Sequence, residues 1–360
     1  MVCEDPTTLL NNPFIIVAHQ DYPSTRPLSP SEISSVTRTL RDTFPNDKVV
    51  FRVITLAEPS KALLVPYLKA ERPEKSLPTI PRKAFVQDYL GHRSQYHQLE
   101  VDITTGELLR QQALHGKHSY TELNEAQKSE AAFLADPRVQ AELKLLDLPA
   151  EAEIVVEPWG YALDGHNDMS VRIITNANHF AYPLDICAQM SGDFVVQKVL
   201  NLPSGEGERM TEADGTGPKF DRRKILNHSE DHPDLQKDRR NTTKSYQVIQ
   251  PEGPSFQISG NLINWEKWRF SVRFNYREGL TLHDITYEGR ELFHRLSLSE
   301  MFVPYGDSRT PYPRKAAFDL GNNGAGVNAN NLQLGCDCLG HIKYFDTWHH
   351  HMSTPVQPTY

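Results

Sequence analysis

Cysteine is scarce in this sequence, and long hydrophobic runs are missing. The four cysteines of the 360-residue chain are too few and too scattered for a disulfide scaffold. No stretch approaches the roughly eighteen apolar residues of a membrane-spanning helix. The N-terminus carries acidic residues where a secretory signal would carry basic ones. These absences predict an intracellular protein that neither spans a membrane nor depends on disulfides.

An excess of positive charge is also missing. The net charge is -8, with 38% hydrophobic and 23% charged residues. An acidic balance argues against a general nucleic-acid binder and favours small-molecule or protein partners. The length predicts two or three domains, because single cores stop growing near about 250–300 residues.

The first predicted domain covers residues 27–110, after an N-terminal extension over residues 1–26. Ser29-Pro30-Ser31-Glu32 is a capping box with proline at the first helical position. Apolar residues then recur at helical spacing. The predicted apolar positions are Ile33, Val36, Leu40 and Phe44, and the predicted strands are Lys48–Leu56, Ala84–Tyr89 and Tyr96–Ile103.

A second predicted domain covers residues 111–203 and repeats this order of helix followed by strands. Asp136-Pro137 is a helix-start signal between two helical segments. Helices followed by several strands are typical of an α+β fold. The predicted elements are helices Leu123–Leu134 and Pro137–Leu146 and strands Ala152–Glu157, Ser170–Asn176 and Asp193–Leu200.

Residues 204–247 are a polar linker that is rich in charge and glycine, and the pattern beyond it is that of β structure. Apolar and polar residues alternate strictly from Trp268 to Tyr276, which predicts a half-buried antiparallel strand. We expect this strand to belong to a large antiparallel sandwich.

The sequence contains the blocks EPWGY, YPLDICA, FNYREGLTLHDITY, LFHRLSLSEMFVPYGD and AAFDLGNNGAGVNANNLQLGCDCLG. These blocks closely resemble the copper- and topaquinone-dependent primary-amine oxidases. The resemblance implies two small cystatin-like α+β domains, followed over residues 248–346 by the start of the catalytic β-sandwich. It further implies oxidative deamination of a primary amine to an aldehyde, with ammonia and hydrogen peroxide released, in a homodimer that holds copper and topaquinone.

Asp319 is the first candidate catalytic residue. It follows an apolar segment and precedes a glycine-rich loop. A carboxylate that is partly removed from water has a raised pKa, which suits a proton-abstracting base. The alternative from the residues alone is a loop aspartate that caps the amide of Gly321 or Asn322. The resemblance implies that Asp319 is the proton acceptor that takes the α-proton of the substrate.

Other candidate residues follow from the resemblance. Tyr305 corresponds to the tyrosine that hydrogen-bonds the quinone, although a turn tyrosine after Pro304 is the plainer interpretation. Trp159 corresponds to a channel position, and interdomain packing is the alternative. Ala317 stands where relatives often carry an aromatic residue, so the resemblance implies a wider substrate channel. The predicted channel residues are Trp159, Ala317, Asn323 and Asn328.

Cys338 corresponds to the cysteine that pairs with a later cysteine in the family, which makes it a disulfide candidate in a full-length relative. A metal site is the alternative, formed by Cys336 and Cys338 with His341 or the run 349–351. Structural zinc sites normally space their cysteines two residues apart. Such a site would therefore be adventitious at best.

The resemblance holds as far as Asp346, and we expect residues 347–360 to lie outside the family pattern. By resemblance, the cofactor tyrosine and the His-x-His copper ligands come later than residue 346. We therefore expect this chain alone to assemble neither copper nor topaquinone and to be catalytically incomplete. The alternative is a non-catalytic truncated paralogue that acts as an interaction or dimerisation module. The terminal Pro-Thr-Tyr is no peroxisomal signal, so a cytoplasmic or peroxisomal location stays open.

Overall fold

The computed structural model divides the chain into two compact units. The first unit contains residues 1–115, 246–300 and 324–360, and the second contains residues 116–245 and 301–323. The described residues are 26–71, 78–91, 95–145, 154–160, 173–178, 184–201, 242–244, 247–303, 320, 324–327, 329, 339–345, 349–351 and 354–356.

Helix α1, Pro30–Thr43, begins at the predicted capping box. The Ser29 hydroxyl accepts the amide of Glu32 at 3.3 Å, and the Glu32 carboxylate accepts the amide of Ser29 at 2.7 Å. These two bonds satisfy donors that the first helical turn would otherwise leave without partners. The amide of Phe44 donates to the carbonyl of Leu40 and closes the last turn. The predicted helix is confirmed.

A sheet of four antiparallel strands packs against α1, in the order β1-β2-β3-β4. Its hydrophobic core consists of the apolar face of α1 and the facing strand residues. The boundary predicted at residue 110 falls inside the last strand. The further elements are β1 Val49–Leu56, α2 Lys61–Glu71, β2 Lys83–Leu90, β3 Gln95–Asp102 and β4 Leu108–Ala113.

The second unit repeats this plan with two helices ahead of the strands. Its antiparallel sheet has the order β5-β6-β7-β8. Strand β7 was not among the predicted strands. The core between helices and sheet includes Phe133, Val139, Ile174 and Met190. The elements are α3 Leu123–Ala135, α4 Pro137–Leu145, β5 Glu157–Gly160, β6 Ile173–Asn178, β7 Leu184–Ser191 and β8 Val196–Asn201.

The C-terminal part of the first unit contains an antiparallel sheet of five strands, in the order β13-β12-β11-β10-β9. The predicted alternating strand is β11, and its side chains are half-buried except for the buried Val272. The α+β fold class, with the start of a sandwich after the small domains, is thereby confirmed. The strands are β9 Phe256–Ser259, β10 Leu262–Trp265, β11 Trp268–Asn275, β12 Gly279–Tyr287 and β13 Arg290–Ser297.

Two irregular features complete the described fold. Asp284 in β12 has a φ of 51°, and the pairing register of β12 shifts beside it. Such a bulge places two residues opposite one and re-aims the side chains that follow. Near the C-terminus, β14 His349–His351 pairs with β15 Thr354–Val356. Within the described residues, no helix is both long enough and apolar enough to cross a membrane.

Candidate functional site

The turn that joins β11 to β12 is built around the side chain of Asn275. Its Oδ1 accepts the amides of Arg277 and Glu278, both at 2.9 Å. Its Nδ2 donates to the Glu278 carboxylate at 2.7 Å. Asparagine suits this position because its short side chain can bond the backbone two residues ahead. The turn ends at Gly279, which has a φ of +69°.

The glycine-rich segment 324–327 is hydrogen-bonded to this turn. The amide of Ala325 donates to the carbonyl of Arg277 at 2.7 Å, and the amide of Val327 donates to the carbonyl of Tyr276 at 2.8 Å. Between them, a Cβ on Gly326 would lie 2.0 Å from the carbonyl oxygen of Asn275. Glycine is therefore required at position 326 by the close approach of two backbones.

An ion-pair network holds the carboxylate of Glu278. Arg295 Nη1 donates to Glu278 Oε1 at 2.9 Å, and its Nη2 also bonds Glu278. The Ser297 hydroxyl donates to Glu278 Oε1 at 2.7 Å. The same guanidinium bonds Glu58 of the loop after β1 at 3.1 and 3.0 Å. Hydrogen bonding from Arg295 lowers the pKa of Glu278 to about 2, so this carboxylate is ionised at neutral pH.

Two further side chains beside the turn stay neutral. Tyr276 stacks on Phe85 with ring centroids 6.2 Å apart, and burial raises the pKa of its hydroxyl. His283 is fully buried, and its Nε2 lies 3.0 Å from the Thr281 hydroxyl. Burial, reinforced by the nearby Arg273 and Arg295 charges, lowers the pKa of His283 to about 3. Thr281 and His283 are thus buried polar residues of β12.

The predicted catalytic and channel residues lie mainly outside the described residues, with Trp159 as the exception. Trp159 is half-buried in β5 and pairs with Thr175 of β6. The residue that follows the predicted base, Leu320, is buried, and its amide donates to the carbonyl of Met301 at 3.2 Å. The roles assigned to these positions stay predictions. The predicted residues outside the described part are Tyr305, Ala317, Asp319, Asn323, Asn328 and Cys338.

A copper centre would need several histidine, cysteine or carboxylate ligands in one place. Within the described residues, no group of three or more such side chains could hold a metal ion. The described residues therefore offer no copper site, while Cys336 and Cys338 of the alternative metal site lie outside the described residues.

The network around Glu278 was not predicted from the sequence. Asn275 and Glu278 are three residues apart and precede a glycine, which is a turn signal. Arg295 is seventeen residues further along the chain. Its contact with Glu278 depends on the pairing of β12 with β13, which the local pattern does not specify.

Two family models match the chain over separate ranges. The model described as "Copper amine oxidase, N2 domain" matches residues 25–114, and that described as "Copper amine oxidase, enzyme domain" matches residues 257–359. The second range contains Asp319 and Tyr305 and also enters the tail 347–360, which we expected to lie outside the family.

Individual relatives agree with these matches. Copper amine oxidase 1 of Aspergillus niger is 37% identical over 349 residues, which covers 89% of this chain and 51% of the relative. The peroxisomal primary amine oxidase of Pichia angusta is 30% identical over 88% of this chain and 46% of its own length. A crystal structure of a copper-containing benzylamine oxidase from Hansenula polymorpha superimposes with a TM-score of 0.81 at 32% identity, covering 93% of this chain and 54% of that one. The chain spans about half the length of these relatives.

Proposed function

This chain belongs to the copper amine oxidase family, and from that premise we propose that the protein carrying it oxidises primary amines. In the balanced reaction, a primary amine, O2 and water give an aldehyde, ammonia and hydrogen peroxide. The observation that carries the proposal is the enzyme-domain match over residues 257–359, because this range contains Asp319 and Tyr305. In this family, copper and topaquinone supply the electron acceptor.

Asp319 is proposed as the base that accepts the α-proton of the bound amine. The proposal is supported by the enzyme-domain match over this position, and the described residues that follow Asp319 in the chain are hydrogen-bonded. Leu320 is bonded to the carbonyl of Met301, and the segment 324–327 is bonded to the turn after β11. A positioned general base contributes about 10²–10⁴-fold in rate. Tyr305 is proposed to donate a hydrogen bond to the quinone.

The base is tested by replacing Asp319 with asparagine in the intact copper-loaded protein. We expect amine-dependent hydrogen peroxide production to fall by about 10²–10⁴-fold in kcat, because asparagine cannot accept the proton. Asp42→Asn, an exposed aspartate of α1, is the matched control and should retain the wild-type rate. Turnover within a few-fold of wild type in the Asp319 variant would exclude this residue as the base. A wild-type protein that oxidises no primary amine would refute the proposed activity itself.

The substrate channel is proposed to include Trp159, Ala317, Asn323 and Asn328, with Ala317 leaving room for bulky amines. We expect Ala317→Phe to lower kcat/KM for 2-phenylethylamine by about 10–200-fold relative to methylamine, because the added ring would fill the channel. Steady-state kinetics with the two amines measures this ratio. An equal loss for both amines would show that position 317 does not select substrates by size.

We further propose that residues 1–360 alone do not assemble copper and topaquinone. The proposal is supported by coverage, because the chain spans about half the length of the copper amine oxidases that it matches. The isolated chain is incubated with Cu(II), passed over a chelating resin and analysed for copper and amine oxidation. Retained stoichiometric copper with turnover would contradict the proposal. A copper-free chain that forms stable dimers would favour the alternative role as an interaction module.

The proposed setting is an intracellular homodimer in the cytoplasm or the peroxisome, with Cys338 as a disulfide candidate. Light scattering of the intact protein tests the dimer, and subcellular fractionation tests the location. A monomer, or a secreted protein, would contradict the respective proposal.

A further inference from the structure

We propose that Glu278 is a positioning residue for the glycine-rich segment 324–327, which follows the predicted base in the chain. In this scheme Glu278 fixes the turn after β11, and the turn in turn fixes the glycine-rich segment that follows Asp319. The role of Asp319 rests on the proposed function, whereas the fixing of segment 324–327 by Glu278 can be tested independently of activity.

The backbones of the segment and the turn are in direct contact. Two backbone hydrogen bonds, of 2.7 and 2.8 Å, join Ala325 and Val327 to the carbonyls of Arg277 and Tyr276. Gly326 lies so close to the turn that no side chain fits between them. Any change in the backbone of the turn must therefore move the segment or break these bonds. Because Gly324 is five residues after Asp319, such a movement begins a short distance along the chain from the base.

The backbone of the turn depends on Glu278. The Asn275 amide group can rotate to face either way, and only one orientation presents its Oδ1 to the two backbone amides that it accepts. The carboxylate of Glu278 sets that orientation by accepting Nδ2 of Asn275 at 2.7 Å. Glu278 thus sets the orientation of the Asn275 amide group, and that group sets the backbone shape of the turn.

The carboxylate of Glu278 is itself held by several hydrogen bonds. Each of its oxygens accepts two donors: Oε1 accepts Arg295 and Ser297, and Oε2 accepts Arg295 and Asn275. Charge-assisted forked bonds of this kind are the stronger class of side-chain hydrogen bonds. Arg295 is further fixed by Glu58. The network therefore runs from the loop after β1 to the segment that follows the predicted base.

Glu291 of the same sheet forms an ion pair with Lys69 of α2, and this pair serves as a control. Lys69 lies 3.5 Å from Glu291 of β13, and both side chains are more than half exposed. Exposed pairs of this kind contribute little to stability. Replacement of Glu291 by glutamine therefore repeats the chemical change of Glu278→Gln on the same sheet, without touching the turn.

The test measures hydrogen exchange of the intact protein in Glu278→Gln, Gly326→Ala and Glu291→Gln. Glutamine at position 278 would turn its NH2 group towards donors, so we expect the Ala325 and Val327 amides to exchange about tenfold faster or more. Gly326→Ala should give the same local change by separating the segment from the turn. Glu291→Gln should leave both amides at wild-type rates. Unchanged exchange at Ala325 and Val327 in Glu278→Gln would overturn the proposal.

Kinetics then connect this local change to the base. In Glu278→Gln we expect kcat to fall by about tenfold or more with little change in KM, because misplacing a catalytic group acts on the chemical step. A loss of kcat without faster exchange would refute the positioning role. Faster exchange with unchanged kcat would refute its connection to catalysis. If the wild-type protein oxidises no amine, the proposed function fails, yet the exchange result still decides whether Glu278 fixes the segment.

Discussion

The two small α+β regions arrange their strands in the same order, but they bury different kinds of side chain. The first sheet encloses Asp88 and His97, which are 0% and 4% exposed. The second sheet encloses Cys187 and Met190, both 0% exposed. A thiol and a thioether are soft, neutral groups that pack like hydrocarbons. A buried carboxylate must instead be hydrogen-bonded or paired with a positive charge, or else bind a proton and become neutral. The two sheets therefore enclose an ionisable pair in the first region and a neutral thiol and thioether in the second, whose buried carboxylates, Glu122 and Glu125, lie instead at the start of α3.

The Asp88 carboxylate is only weakly paired with His97. His97 Nδ1 lies 3.8 Å from Asp88 Oδ1, which is longer than a hydrogen bond. Neither carboxylate oxygen makes a hydrogen bond with the described residues. Burial accordingly raises the pKa of Asp88 to about 7 and lowers the pKa of His97. The comparison predicts that the sheet core of the first region makes the free energy of unfolding depend on pH.

The largest expected effect tests whether the two cores are separate. Leu40 and Met190 are each 0% exposed, in the first and second core respectively. We expect Leu40→Ala and Met190→Ala each to cost about 2–5 kcal/mol, because each leaves a cavity. Hydrogen exchange in denaturant, read separately on β2 and β7, should show the loss only in the region that carries the change. The half-exposed Leu63 provides the control Leu63→Ala. Equal loss in both regions from either variant would show a single cooperative core.

The second prediction concerns Asp88 and sharpens the difference in pH dependence. The folded chain holds this proton up to about pH 7, whereas the unfolded chain releases it near the ordinary value of 3.8. Between these values the folded state binds more protons, so this carboxyl makes the free energy of unfolding fall as pH rises. We expect Asp88→Asn to match wild type near pH 4 and to exceed it increasingly up to pH 8, by about 4 kcal/mol at most.

Urea unfolding of wild type and Asp88→Asn at several pH values measures this difference. The lowered pKa of His97 acts in the opposite direction below its ordinary value of 6.5. His97 is present in both proteins, so its contribution largely cancels from the comparison. The exposed Asp42→Asn should show no such trend. A difference between Asp88→Asn and wild type that does not change with pH would refute a proton bound at Asp88.

The partly buried ion pair of Glu32 and Arg82 should change the free energy of unfolding less than Asp88 does. Its stabilising contribution should grow as pH rises, whereas that of Asp88 should fall. Burial alone would raise the pKa of Glu32, but hydrogen bonds and charge from Arg82, with the Ser29 amide, lower it to about 2. The folded state thus binds fewer protons than the unfolded state between about pH 2 and 4.5, and the contribution is lost as pH falls through that window. We expect Glu32→Gln to cost about 1–3 kcal/mol at pH 7 and nothing near pH 2. A cost that persists undiminished at pH 2 would show that the charge is irrelevant.

The comparison also shows which features could be predicted from sequence. Helix α1 was predictable because its signals are local: a capping box, then apolar residues at a spacing that buries Ile33, Val36 and Leu40. The burial of Asp88 was not, because its position opposite His97 depends on the register of β2 against β3. Nor was the bulge at Asp284, a non-glycine residue with positive φ. The family was recognisable from motifs, whereas the network of Glu278 required the pairing of two strands.

The smallest predicted effect concerns the first turn of α1, where an N-cap hydrogen bond rather than burial provides the stabilisation. The Ser29 hydroxyl accepts the amide of Glu32 at 3.3 Å, whereas Ser35 lies exposed within the same helix. We expect Ser29→Ala to cost about 1 kcal/mol, because an N-cap bond is lost. Ser35→Ala should instead stabilise by a few tenths of a kcal/mol, because alanine favours the helix interior. Urea unfolding of both variants measures the two shifts. Identical shifts would mean that the capping bond contributes nothing to stability.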